Sequence, residues 1–191
     1  MTVNRIFVGI YSLIILILIG LGVVTFLMLG NQTDLNTSQE IRFDSYLAAD
    51  ELRQSSDDLT RLARTYVVTG DSTYEDQYWH ILDVRNGIKP RPDGRKIPLM
   101  DIMANLGFTD VEFGLLAESG ANSDGLVWTE TVAMNAVKGM FDDGSGNFTV
   151  VAEPNYEMAR EIMFDAKYHS DKASIMEPID EFFAQLDTRT M

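Results

Sequence analysis

The sequence predicts an all-α protein in which an N-terminal transmembrane helix continues into an up-down four-helix bundle. Three observations carry this expectation. Residues Ile6 to Leu29 hold no charge, and their only polar interruptions are Ser12 and Thr25, besides Tyr11. Beyond them, apolar and small residues recur at alternating four- and three-residue steps, the spacing of a helical seam. Proline is sparse, at 5 residues in 191, which suits long helices.

At about 1.5 Å per residue, the Ile6–Leu29 run covers the roughly 30 Å hydrocarbon core of a bilayer. Inside lipid each backbone N–H and C=O must be paired within the segment, so the run has to be a helix. A cleaved signal peptide would carry only about 7–15 apolar residues before a small-residue cleavage site. The run here is longer, and Leu27 to Gln32 offers no such site. Arg5 and the α-amino group precede the run, and the next basic residue is Arg42. The positive-inside bias therefore places residues 1–5 in the cytoplasm, 6–29 in the membrane and 30–191 outside.

After the anchor roughly 160 residues remain, enough for one domain with a core. The formal net charge of −14 argues against a nucleic-acid partner, which needs a basic face. The sequence has no G-x-S-x-G, no H-E-x-x-H and no phosphate-binding glycine loop, and its carboxylates are spread over helical faces. It reads as non-enzymatic. With no cysteine and only His80 and His169, neither a metal nor a haem cofactor is expected, and no disulfide is possible.

The elements follow in order. Asn31 to Thr69 reads as one helix, with a seam of Ile41, Ser45, Ala48, Leu52, Ser55, Leu59, Leu62 and Tyr66. That seam is longer than one partner helix needs, which predicts a homodimer. Gly70 suits a C-terminal cap, and Asp71 or Ser72 can cap the next helix, Thr73 to Arg85. Ile88 to Pro98 is a loop, because Pro90 and Pro92 force extended predecessors. Leu99 to Leu106 is a short helix. Thr109 and Glu112 form a capping box for a helix running to about Lys138. Phe141 to Glu153 is a turn region with a short strand pair, and it lacks the spacing of an EF-hand. From Pro154 a last helix runs to about Thr188, kinked or broken at Pro178.

Two groups stand out as ligand-binding candidates, both placed toward the membrane-distal end. Arg61 and Arg64 lie with Tyr66, Tyr74, Tyr78 and Trp79 around the first turn-back, and aromatic rings with arginine suit a small organic ligand. The following loop gathers Arg85, Lys89, Arg91, Arg95 and Lys96, and arginine forks match carboxylate or phosphate. The plain reading of both is a capped core and a solvated loop. Asn122, Ser123 and Glu130 would line an internal pocket or fix the register between helices. An anionic small molecule is the favoured ligand.

Four segments go further: ELRQSSDDLTRLARTYVVTGDSTYEDQYWHILDVRNG, the following KPRPDG, then ANSDGLVWTETVAMNAVKGMFDDGSGNFTV and AREIMFDAKYHSDKASIMEPIDEFF. They resemble the extracytoplasmic input half of bacterial transmembrane receptors, the methyl-accepting chemotaxis proteins and relatives with a histidine kinase or cyclase output. The resemblance covers nearly all of the chain after the anchor. It implies a ligand-sensing input domain in the bacterial inner membrane that passes a helix shift to a cytoplasmic module. This chain stops before the second span, HAMP linker and output module of such receptors, so a receptor fragment, a truncated gene product or an input domain alone is expected. No ligand-contact residue is carried over from the family. The competing expectation is an anchored protein-interaction module without a small ligand.

Overall fold

The computed structural model describes the backbone of residues 2–190 and the side chains of residues 7–28 and 39–189. The side chain of Arg5 and the α-amino group, on which the orientation rests, lie outside the described residues. The chain divides into two compact units, Met1–Phe43 and Asp44–Met191.

The first unit is helical. Its apolar segment Phe7–Met28 spans 22 residues, long and apolar enough to cross a membrane, and none of it is buried by protein. Thr25 Oγ1 donates to the Leu21 carbonyl at 2.9 Å, so one of the two polar side chains of the run is satisfied within its own helix.

The second unit is built from the remainder of α1 (Thr2–Thr69) with α2 (Ser72–Arg85), α3 (Leu99–Ala104), α4 (Asp110–Val137), α5 (Tyr156–Phe164) and α6 (Ala166–Thr190). A two-stranded antiparallel ribbon joins α4 to α5, β1 (Met140–Phe141) pairing with β2 (Val150–Val151). Local chemistry accounts for most boundaries. The Asp71 carboxylate accepts the Thr73 N–H at 2.9 Å and caps α2. At α4, Thr109 Oγ1 accepts the Glu112 N–H at 3.2 Å while Glu112 Oε2 accepts the Thr109 N–H at 2.8 Å, the expected capping box. Gly139 closes α4 with φ of +72°, and a Cβ there would stand 2.2 Å from the Ala152 carbonyl oxygen. In the ribbon loop, Ser145 and Thr149 donate to Asp143 and hold its carboxyl down to about 2.

The end of the chain departs from the sequence reading. One helix from Pro154 to Thr188 is replaced by α5 and α6, and Pro178 sits inside α6. The break falls at Asp165, whose backbone is extended and whose carboxylate takes the Tyr168 N–H at 2.6 Å. A side chain able to cap a new helix decides the break there, which proline alone does not.

Contacts along the helices fix their directions. Against α1, Arg53 meets Asp180, Asp57 meets Lys172 and Thr60 meets Tyr168, so α1 and α6 run antiparallel, while Arg64 meets Met163 of α5. Ser119 donates to the Ile175 carbonyl and Tyr168 to Glu130, which makes α4 antiparallel to α6. Glu75 meets Lys138, Tyr78 meets Glu130 and Arg85 meets Asp124, so α2 is antiparallel to α4.

The core has two apolar clusters. One centres on Leu59, Leu62, Tyr66, Tyr78, Met134, Met163 and Tyr168. The other centres on Leu52, Leu99, Met103, Leu116, Ile179, Phe182 and Leu186. On α1 the gap between them falls at Ser55 and Ser56, on α4 at Ser119 and Ser123, all buried. The α1 seam from Ser45 to Tyr66 is enclosed by this unit's own helices. The seam's length is thereby accounted for within one chain.

Candidate functional site

Where the polar gap divides the core, α2 inserts a guanidinium. Arg85 is buried, its Nη1 donating to Ser123 Oγ and its Nη2 to Asp124 Oδ1, both at 2.8 Å. The arginine fork is thus spent on α4, and Asp124 supplies the counter-charge from an exposed position.

The loop after α2 brings in a second guanidinium. Pro90 and Pro92 flank Arg91 and stiffen the backbone, and Pro92 opens a turn in which the Gly94 N–H donates to the Arg91 carbonyl at 2.8 Å and the Arg91 N–H to the Arg95 carbonyl at 2.9 Å. Arg91 is only 7% exposed. Its Nε donates to the Ile97 carbonyl at 3.0 Å and its Nη1 to Glu51 of α1. Nη2 is buried and has no hydrogen-bond partner among the described residues.

Between α1, α2 and this loop lies a cavity of about 430 Å³. From α1 it is lined by Glu51, Gln54, Ser55 and Asp58, residues at the three- and four-residue steps of one helical face. From α2 come His80, Ile81, Val84 and Arg85. The loop closes it with Pro90, Arg91 and Pro92. The wall combines apolar surface from Ile81, Val84 and the prolines with a few convergent polar groups, the composition of a small-molecule site, and its volume falls in the usual range.

The structure separates the candidates named from sequence. Arg85 and Arg91 come together at the cavity. Tyr66 and Tyr78 are buried core residues, and Tyr74 and Trp79 pack against the same apolar cluster. Lys89 pairs with Asp83, Arg95 with Asp93 and Arg61 with Asp58, all on the surface. Arg64 donates to the Met163 carbonyl and lies over the rings of Phe164 and Tyr168, bordering a separate open depression with Arg61. Glu51, Ser55, Asp58 and His80 also line the cavity, and the sequence marks none of them as a ligand residue. Their periodic placement on facing helical surfaces was the available signal, but it is also the pattern of any solvated face.

A second polar centre lies within the apolar cluster. Glu130 is 1% exposed, its Oε1 accepting from Tyr168 at 2.6 Å and from Thr60 at 3.3 Å, and its Oε2 from Tyr78 at 2.7 Å. Burial drives its pKa above the ordinary value, against the pull of the two phenols and of Lys172. Burial and the adjacent carboxylate also raise both phenols. The three donors come from α1, α2 and α6, so this carboxyl locks four helices in register; of the two roles weighed for Glu130, the geometry fits register. Among the described residues no group of three His, Asp or Glu side chains could hold a metal ion.

Comparison with protein-family models, with curated proteins and with solved structures returns no match to the chain.

Proposed function

We propose that this chain is a membrane-anchored, ligand-sensing input domain, with the unit after the anchor on the extracytoplasmic side of a bacterial cytoplasmic membrane. In this reading α1, α2, α4 and α6 form an up-down four-helix bundle, which their antiparallel pairings support. The observation that carries the proposal is the cavity walled by α1 and α2 and fitted with buried guanidinium groups, in a chain whose α1 also contains the exposed apolar Phe7–Met28 segment. A ligand that binds two arrangements of α1 and α2 unequally biases one of them, and couplings of about 1–3 kcal/mol are typical. The likeness to chemotaxis-type receptors seen in the sequence agrees with this reading and supplies the expected output, a kinase-controlling or cyclase module. Homodimerisation belongs to the proposal, through the outer α1 face where Leu47, Gln54, Arg61 and Val68 recur every seven residues and are exposed.

The test has two parts. Carbonate-washed membranes should retain the full chain, and recovery in the soluble fraction without detergent would defeat the anchor. A panel of metabolites screened against the chain in detergent should include one class that raises its melting temperature, as binding to the native state requires.

A further inference from the structure

We propose that the cavity between α1, α2 and the 88–98 loop binds a small, partly apolar monocarboxylate, anchored by Nη2 of Arg91. The proposal rests on the ligand-sensing reading and gives it a site and a ligand class.

The anchor is an unmet donor. A guanidinium stays charged and cannot shed its N–H groups, so each buried one calls for an acceptor. Arg91 meets this demand at Nε, through the Ile97 carbonyl, and at Nη1, through Glu51. It does not meet it at Nη2, which is buried without a partner in a residue that lines the cavity. The side chain is held in place before any ligand arrives, because Pro90 and Pro92 stiffen the loop and the Arg91 and Gly94 amides close its turn. Nη2 has almost no accessible surface in this arrangement, so an incoming carboxylate oxygen would complete the guanidinium as the 88–98 loop parts slightly from α1 to uncover it.

The remaining wall narrows the class. Ile81 and Val84 offer apolar surface to a carbon body. Glu51 and Asp58 stand on the same wall, so a phosphate dianion would meet like charge where a singly charged carboxylate meets less. Arg85 lends positive potential, although its fork is occupied by Ser123 and Asp124. A bare cation is disfavoured by the two guanidinium groups.

The experiment uses the full chain in detergent micelles and isothermal calorimetry. Butyrate, benzoate and phenylacetate are the probes, with their primary amides, butylamine and inorganic phosphate for comparison. At least one acid should bind, its amide at least tenfold more weakly, and phosphate and amine no better than the amide. Arg91→Lys keeps a charge for Glu51 but loses the fork, and should weaken the acid at least tenfold while leaving the amide unchanged. Val84→Phe fills the cavity without touching Arg91 and should weaken acid and amide alike, whereas Arg64→Ala, on the other depression, should alter neither. Should Arg91→Lys fail to fold, Val84→Phe and the acid-to-amide ratio decide. Equal binding of acid and amide, phosphate binding alone, or acid binding untouched by Val84→Phe would overturn the proposal. If no acid binds but neutral or cationic metabolites stabilise the chain, the ligand class falls and the sensing reading stands. If no compound of any class stabilises it, both fall.

Discussion

The Tyr78 hydroxyl donates to Glu130 Oε2 at 2.7 Å, joining α2 to α4 through a carboxyl that is almost wholly buried. Thr60 and Tyr168 reach the other oxygen of the same carboxyl from α1 and α6. A buried acid surrounded by three hydroxyl donors is a specificity device, because no shifted register of the four helices would satisfy it.

Tyr78→Phe removes one donor to this group and should destabilise the second unit by about 1.5–3 kcal/mol. Combined with Glu130→Gln, it should give a coupling of roughly 0.5–3 kcal/mol in a double-mutant cycle. Melting of the full chain in detergent, followed by near-ultraviolet circular dichroism, measures both.

Two buried glutamates should give opposite pH dependences. Burial raises the Glu130 pKa, so the folded state holds the proton more tightly than the unfolded state. Its contribution is greatest below the unfolded value and declines as pH rises through the folded value. Glu130→Gln should remove that decline. At Glu112 burial also pushes upward, but the Thr109 amide and Arg189 outweigh it and hold the carboxyl below its ordinary value. This contribution is present above the unfolded pKa and lost as pH falls through the folded one. Arg189→Ala should flatten that acid-side loss and cost roughly 0.5–1 kcal/mol near neutral pH, since the arginine is partly exposed.

Gly87 should resist substitution. Its φ is +72°, and a Cβ there would stand 2.6 Å from the Pro98 nitrogen, which is backbone and not the end of a flexible side chain. Gly87→Ala should cost about 3 kcal/mol, at the upper end of ordinary single substitutions. Because Pro98 ends the 88–98 loop, raised proteolysis of that loop should accompany the loss of melting temperature.

Leu16 lies near the centre of the exposed apolar segment. Leu16→Arg should reduce membrane integration by about 2.5–3.5 kcal/mol, the cost of a basic residue at mid-span. Retention in carbonate-washed membranes reads this directly, and Leu47→Arg, outside the segment, should leave it unchanged.

Whatever depends on neighbours a few residues apart is legible in the sequence. The Thr109–Glu112 box is visible, and the Asp71 cap is one of the two that the sequence offers, because a cap is made within three residues. The break at Asp165 is not visible, since Pro178 carries the stronger sequence signal for interruption. An aspartate that caps looks, in sequence, like any solvated acid. In the sequence Arg85 and Arg91 stand with nine other candidates of like charge or aromatic character, and nothing local distinguishes them from Lys89 or Arg61.

The sequence by itself determined the long apolar segment, the helical class and nearly every helix start, because each follows from composition, periodicity or a cap. Only the tertiary structure decided that Tyr78 is wholly buried, that Glu130 is held by hydroxyls 38 to 70 residues away, and that Arg91 meets Glu51 across 40 residues while leaving Nη2 without a partner. Burial and partner choice are properties of packed helices, and packing joins positions whose spacing in the chain carries no trace of their contact.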